Sequence, residues 1–166
     1  MKNNHPLKTF FFPSLTTGFL LRLAVIAALA VVLFTYVLIP FKINGQSMEP
    51  TYQNGRMNFC WRPAYLFSPP GRHDIVAVRF AGRHIMLLKR VVGLEGDTVE
   101  FRDGDLFINR EKLAEPYVRY PCNWNLAPRT VKKGNIYVVG DNRDVPIHTH
   151  DFGQTPIKRV LGAPLW

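Results

Sequence analysis

Serine is scarce in this chain, and one serine stands where nucleophilic chemistry could occur. The serines are Ser14, Ser47 and Ser68. Ser47 lies in residues 45–51, Gly-Gln-Ser-Met-Glu-Pro-Thr. A glycine two residues before a serine lets the backbone pass close to a substrate, and amide groups there could face an oxyanion. An ordinary turn has the same composition, so this loop alone leaves both interpretations open.

The second candidate is Lys89, which lies in the apolar run 84–93. Lys89 and Arg90 are adjacent, so in a strand their side chains point to opposite faces and one of them faces the interior. A buried lysine must be paired or lose its proton, because desolvation disfavours the ammonium. A neutral lysine is a competent general base for a serine hydroxyl. The alternative is a lysine that extends along a strand edge to reach solvent.

A third polar cluster, Gly-Asp-Asn-Arg-Asp at 140–144, follows an apolar segment over 136–139 that is typical of a short strand. The cluster could be a polar turn with an internal ion pair between Asp141 and Arg143. It could instead hold neighbouring strands in position. The sequence leaves both alternatives open.

Neither a metal site nor a nucleic-acid site is well supported. His148-Thr149-His150-Asp151 offers three ligands, but His73 and His84 lie far away in sequence, so the set is incomplete. The net charge of +9 would suit nucleic acid, yet the basic residues are spread through the chain and anionic lipid explains them equally well. We therefore predict no metal, no cofactor and no nucleic-acid partner.

A long apolar segment precedes these candidates. Residues 19–41 read FLLRLAVIAALAVVLFTYVLIPF, in which Arg22 is the one charged residue. As a helix this segment would be roughly 34 Å long, enough to cross a hydrocarbon core of about 30 Å. No small-x-small cleavage site stands at its end, which disfavours a cleaved signal peptide. We predict a single transmembrane anchor helix over 19–41, with a buried core helix as the less favoured alternative.

The flanking charges predict the orientation of this helix. Lys2, Lys8 and Arg22 precede its centre, whereas Lys42 alone follows it closely. The positive-inside rule then makes residues 1–18 a short basic cytoplasmic segment and residues 42–166 an extracytoplasmic domain. Such a location would permit a disulfide between Cys60 and Cys122, although two free thiols remain an equal alternative.

The region after residue 42 has a β pattern. The Asp-Gly pair at 103–104 separates two alternating segments and is a strong signal for a hairpin. We predict a mainly β fold, in which the anchor helix is followed by a loop-rich antiparallel catalytic domain over 42–166. The predicted strands include 75–80, 84–92, 98–102, 105–109 and 136–139.

Together these motifs resemble the type I signal peptidase family, membrane-bound Ser/Lys endopeptidases that remove signal peptides. The matching segments occur in the family's order, at 40–43, 47–51, 74–76, 89–97, 106–109, 115–117 and 140–143. By this resemblance Ser47 is the nucleophile and Lys89 the general base. The resemblance also implies a β catalytic domain of signal-peptidase type whose apolar surface rests on the membrane.

Further roles follow from the resemblance, residue by residue. Gly45 matches the oxyanion side of the site. Because glycine has no side chain, only the backbone groups of Gly45 and Ser47 can stabilise the oxyanion there. Arg90 and Asp141 match a family ion pair, with Asn142 and Arg143 as further supporting residues. The positions that match the family's pockets for small side chains are Phe41, Ile43, Met48, Tyr52 and Leu88.

The chain departs from the family after Arg143. Pro146 replaces a serine whose hydroxyl orients the lysine, His148 replaces an acid and His150 replaces an arginine. Thr149 keeps a hydroxyl, and our hypothesis is that it orients Lys89. The alternative is a loop threonine that faces solvent.

The resemblance implies a single-pass protein of the bacterial inner membrane that cleaves exported preproteins after Ala-x-Ala. Its expected partners are preprotein signal peptides, the lipid bilayer and secretion or conjugation machinery. The alternatives are a dedicated peptidase that matures a pilin or conjugative-transfer protein, and a non-catalytic envelope or conjugation component.

Overall fold

The computed structural model describes residues 16–79, 86–120, 122–149 and 152–166. The chain divides after Val37 into two compact units, an N-terminal helix and a larger β unit that begins at Leu38. Most of the predicted cytoplasmic segment, residues 1–15, lies outside the described residues.

The N-terminal unit contains helix α1, Thr17–Val32, which continues as a π-helical segment over Leu33–Val37. The hydroxyl of Thr16 accepts a hydrogen bond from the N–H of Phe19 at 3.2 Å, which caps the first turn. The whole helix has 21 residues, an 18-residue stretch of it has a mean hydropathy of 2.4, and none of its side chains is buried. Its length and composition are sufficient to cross a membrane.

The helix ends earlier than the predicted boundary at residue 41. Residues 38–42 form a strand, β1 (Leu38–Lys42), which pairs with β2 (Met57–Trp61) in register Leu38 to Trp61. Pro40 explains the difference, because proline breaks a helix and biases the preceding residue to extended conformations. An edge strand tolerates proline, and β1 is the edge of its sheet.

In the described part of the chain, eleven strands form two sheets, and every described strand pair is antiparallel. The larger sheet has the order β1-β2-β11-β3-β4-β9-β10 and the smaller β7-β6-β5-β8. The strands after β2 are β3 (Ile75–Arg79), β4 (Met86–Gly93), β5 (Thr98–Arg102), β6 (Asp105–Ile108), β7 (Glu111–Lys112), β8 (Leu126–Thr130), β9 (Asn135–Val139), β10 (Gly153–Pro156) and β11 (Val160–Pro164). The prediction of a mainly β, antiparallel fold is confirmed.

The β5–β6 hairpin forms at the predicted Asp-Gly pair. Asp103 and Gly104 both have positive φ, 47° and 87°, as a type I′ turn requires. A Cβ on Gly104 would stand 2.0 Å from the carbonyl oxygen of Cys122, so glycine is also required by the close approach of that backbone.

Both cysteines are free thiols, so the disulfide alternative is not realised in this structure. They belong to different apolar clusters: Cys60 packs with Met48 and Ala77, whereas Cys122 packs against the cluster that contains Phe101. Burial raises the pKa of the Cys60 thiol to about 11, so Cys60 is a protonated core residue.

Candidate active site

Ser47 and Lys89, which are 42 residues apart in sequence, lie side by side in the structure. The Nζ of Lys89 is 2.9 Å from the Oγ of Ser47. Ser47 lies in the turn between β1 and β2, and Lys89 lies on β4. A serine hydroxyl in hydrogen-bonding contact with an amine has the geometry that a nucleophile and its general base require.

Lys89 is buried because its strand lies inside the larger sheet. β4 pairs with β3 on one side and with β9 on the other, and Lys89 is opposite Val76. Lys89 is only 3% exposed, so the alternative of a lysine that reaches solvent along a strand edge is wrong. Burial favours the neutral amine, the form that can accept a proton.

Asn142 ties the Ser47 turn to the segment that follows β9. Its backbone N–H donates to the carbonyl of Ser47 at 2.9 Å, and its Nδ2 donates to the carbonyl of Gln46 at 3.1 Å. Its Oδ1 accepts from the N–H of Asp144 at 3.1 Å. Two consecutive carbonyls of the nucleophile turn are therefore fixed by one residue.

A buried ion pair provides a second tie between the same elements. Arg90 donates to both oxygens of Asp141, through Nε at 2.8 Å and Nη2 at 2.6 Å. The hydroxyl of Thr51, at the end of the Ser47 turn, donates to Asp141 at 2.5 Å. The strand that carries Lys89 is thus connected to the Ser47 turn through one carboxylate.

Arg143 makes the corresponding connection to the smaller sheet. It is 1% exposed and donates to both oxygens of Glu115, at 3.0 Å and 2.5 Å, and the hydroxyl of Tyr117 donates to the same carboxylate. The ring of Tyr117 lies under the guanidinium of Arg90 at 3.9 Å. Asp141 and Arg143 therefore pair with distant residues and not with each other, which favours the scaffold alternative for this cluster.

The backbone N–H groups of Gly45 and Ser47 differ in whether they already donate a hydrogen bond. The N–H of Gly45 donates to Oδ1 of Asn54 at 3.1 Å, so this amide is already occupied. The Ser47 N–H has no acceptor among the described residues. Ser47 thus offers the better oxyanion donor, while Gly45 contributes its conformation, a φ of 102° that favours glycine.

The five predicted pocket residues, Phe41, Ile43, Met48, Tyr52 and Leu88, belong to one apolar cluster. Sequence reasoning missed two buried members, Cys60 and Ala77, because no local pattern connects them with the Ser47 turn. Thr51, Glu115 and Tyr117 were within matched motifs, but nothing in the sequence indicated what they bind.

A cleft of about 510 Å³ adjoins this cluster. Phe41 lines it, whereas Ile43 and Tyr52 line a separate cavity of about 390 Å³ and Met48 is almost completely buried. Met86 and Leu87, which precede the lysine on β4, also line the cleft and were not predicted. Their position beside Lys89 in the sequence was an available signal.

The prediction for Thr149 is untested. Its backbone lies in the 3-10 turn Ile147–Thr149, but its side chain lies outside the described residues, as do His150 and Asp151. Within the part of the chain that the structure describes, no group of histidine, cysteine and carboxylate side chains could hold a metal ion.

Comparison with known proteins identifies the family. Residues 16–165 match the family model described as signal peptidase, peptidase S26. The chain is 32% identical over 149 residues to signal peptidase I V of Bacillus subtilis, covering 81% of this chain and 88% of that protein. It is 34% identical over 140 residues to thylakoidal processing peptidase 1 of Arabidopsis thaliana, but spans only 41% of that protein.

A solved signal peptidase I from Enterococcus faecalis is 32% identical, with a TM-score of 0.46 over 57% of this chain and 95% of the solved chain. The family match and the Bacillus relative each extend over most of the sequence. This chain therefore belongs to the type I signal peptidase family.

Proposed function

We propose that this protein is a membrane-anchored serine endopeptidase that removes signal peptides from exported preproteins, with Ser47 as nucleophile and Lys89 as general base. The observation that carries the proposal is the 2.9 Å contact between a buried lysine amine and a serine hydroxyl, in a chain of the signal peptidase family. Neither residue alone would support it.

The geometry allows the following reaction. The neutral Nζ of Lys89 accepts the proton of the Ser47 hydroxyl while Oγ attacks the carbonyl carbon before the cleavage site. The Ser47 N–H donates to the resulting oxyanion. The ammonium then gives its proton to the leaving amine as the C–N bond breaks. Water, deprotonated by the same lysine, then attacks the ester carbonyl. As the C–Oγ bond breaks, the ammonium returns its proton to Oγ, which restores the Ser47 hydroxyl and the neutral lysine.

Asn142 has a positioning role in this proposal, because its two hydrogen bonds fix the carbonyls of Gln46 and Ser47 and thereby the direction of the Ser47 N–H. Asn142→Asp keeps the shape but replaces the donating amide with an oxygen. We expect kcat to fall by about 10–100-fold with KM nearly unchanged, since about 1.4 kcal/mol corresponds to tenfold. Steady-state kinetics on a signal-peptide substrate will measure this.

The matched control is Asn125→Asp, directly before β8 of the smaller sheet. Asn125 makes the same kinds of bonds, accepting from the N–H of Asp103 at 3.0 Å and donating to the carbonyl of Asn123 at 3.2 Å. Neither of these hydrogen bonds involves the Ser47 turn, so its change should leave kcat within about twofold of wild type. An Asn142→Asp enzyme with wild-type kcat would show that the amide does not position the nucleophile.

The apolar cluster next to Ser47 supports a preference for small side chains. Its members Ile43, Met48 and Leu88 are already closely packed, with 6%, 2% and 6% exposure. A large residue before the cleavage site would have to displace this wall, and overpacking typically costs about 1–3 kcal/mol. We propose that the enzyme accepts alanine-sized side chains at the first and third positions before the cut.

Measuring this preference for small side chains is a direct test of the proposed function. We expect an Ala-x-Ala preprotein to be cleaved at that site, and the Leu-x-Leu variant to be cleaved at least about 10-fold more slowly. N-terminal sequencing of the mature product will locate the cut, and an Ala-x-Ala substrate with leucine at the second position is the control. Equal rates for Ala-x-Ala and Leu-x-Leu would reject the assignment of the pockets.

The membrane location is also a proposal. The apolar helix over Thr17–Val37 would be roughly 31 Å long, and its sequence flanks favour a cytoplasmic N-terminus and a periplasmic or other extracytoplasmic β unit. Exposed apolar side chains of the β unit, including Phe67 at 97% and Trp166 at 65%, suit contact with lipid. We propose the bacterial inner membrane as the location. The predicted link to conjugation or pilin maturation gains no support from the family or the relatives above.

A further inference from the structure

The 510 Å³ cleft beside the Ser47 turn combines apolar walls with a basic rim. Its apolar side chains come from three strands: Ile39, Pro40 and Phe41 of β1, Met86 and Leu87 of β4, and Leu161 of β11. Its charged side chains are Lys42, Arg62 and Arg79, and none of the described residues that line it is a carboxylate.

Both walls of the cleft lead to the reacting groups. Asn44, on one wall, is followed by the turn that carries Ser47, and Leu87, on the other wall, stands two residues before Lys89. An extended chain whose cleavable bond lies at Ser47 would therefore continue along this cleft. Its residues before the cut would pass the basic rim.

Among the described residues, no carboxylate neutralises the positive charge of the rim. Lys42, Arg62 and Arg79 are exposed, and none of them has a carboxylate partner among the described residues. Four arginines elsewhere in the described part of the β unit do have one, for example Arg72 with Asp97 at 2.9 Å. A concave surface with uncompensated charge of one sign attracts the opposite charge.

Of the three basic residues that line the cleft, Arg79 is the one that also lines a cavity next to Lys89. Besides the cleft, it lines a smaller cavity of about 100 Å³ together with Leu87 and Lys89. Arg79 therefore lines both the cleft and the cavity that Lys89 lines. A headgroup bound there would occupy the space that a substrate must cross, so the position suits a peptide better than a lipid.

We propose that the basic cleft selects preproteins with an acidic side chain in the segment just before the cleavage site. This inference rests on the proposed function, because it requires the cleft to hold the substrate. Arg79 and Arg62 are the specificity-determining residues, and Lys42 contributes to the same field. The charge complementarity strengthens substrate binding and leaves the chemical step unchanged.

The test uses the full chain in nonionic detergent at low salt, with peptides that keep Ala-x-Ala and carry Asp, Asn or Lys at the second, fourth, fifth or sixth position before the cut. We expect kcat/KM to be about 5–20-fold higher for Asp than for Lys at one or more positions. The difference should arise in KM, and it should disappear as the NaCl concentration is raised. Arg79→Gln and Arg62→Gln should each reduce the preference by about 2–5-fold. Arg129→Gln, an exposed arginine on β8 with the same change of charge, should leave it intact.

The outcomes separate this inference from the proposed function. Ser47-dependent cleavage of the Asn peptides with equal rates for Asp and Lys at every position would overturn the inference alone. Absence of any Ser47-dependent cleavage would overturn both. If Arg79→Gln and Arg62→Gln weaken binding to phosphatidylglycerol vesicles but leave the peptide preference unchanged, the cleft recognises lipid and the inference is wrong.

Discussion

Replacing Ser47 by alanine, or Lys89 by methionine, should reduce signal-peptide cleavage by at least about 1,000-fold, because each change removes one member of a pair that acts in one step. Methionine keeps an unbranched stem in the buried site of Lys89 and removes only the amine. The double variant should be no less active than either single variant. Rates are to be measured with an Ala-x-Ala preprotein at saturating concentration.

Two variants of the same chemical type are the controls for this experiment. Ser68→Ala changes an exposed loop serine, and Lys132→Met changes an exposed lysine after β8. Both should retain wild-type rates, and all four variants should unfold at similar urea concentrations. Cleavage by Ser47→Ala or Lys89→Met at a rate close to wild type would end the Ser/Lys proposal, because the protein would then cleave without one of the two residues.

Local patterns were sufficient for the parts of the fold that depend on a few neighbouring residues. The hairpin at Asp103 and Gly104 follows from the conformations that those residues adopt, and the apolar helix follows from its composition. The end of that helix was predicted too late because hydrophobicity continues into β1. Pro40 carried the correct signal, since it favours an extended chain before it.

The site itself depends on contacts that no local pattern contains. The resemblance to a family indicated Ser47 and Lys89 as a pair, but their distance of 2.9 Å depends on how β4 is placed against the turn after β1. The partners of Thr51 and Glu115 depend in the same way on the register of distant strands. Only the folded chain shows that the amide of Gly45 is occupied by Asn54 while that of Ser47 is not.

The contact between Glu115 and Arg143 connects the two sheets and therefore matters for stability. Glu115 follows β7 of the smaller sheet, and Arg143 follows β9 of the larger sheet. Their side chains are only 10% and 2% exposed. A charge that has lost its partner in such a place is costly, because water cannot replace the missing interaction.

Glu115→Gln should therefore lower the free energy of unfolding by about 3–5 kcal/mol, since Arg143 stays buried and charged without a carboxylate. Urea denaturation followed by tryptophan fluorescence will measure the change. The matched control is Asp105→Asn, which breaks the ion pair with Lys112 on the same sheet. Those side chains are 50% and 60% exposed, so the control should cost less than about 1 kcal/mol.

A double variant distinguishes the effect of removing the whole ion pair from the effect of leaving one charge without its partner. Glu115→Leu with Arg143→Met removes both charges, so we expect it to be more stable than Glu115→Gln. Asn142 stands next to Arg143 and holds the Ser47 turn, and a displaced Arg143 should therefore also lower kcat in Glu115→Gln. If Glu115→Gln unfolds at the same urea concentration as Asp105→Asn, the buried pair does not connect the sheets in the way its geometry implies.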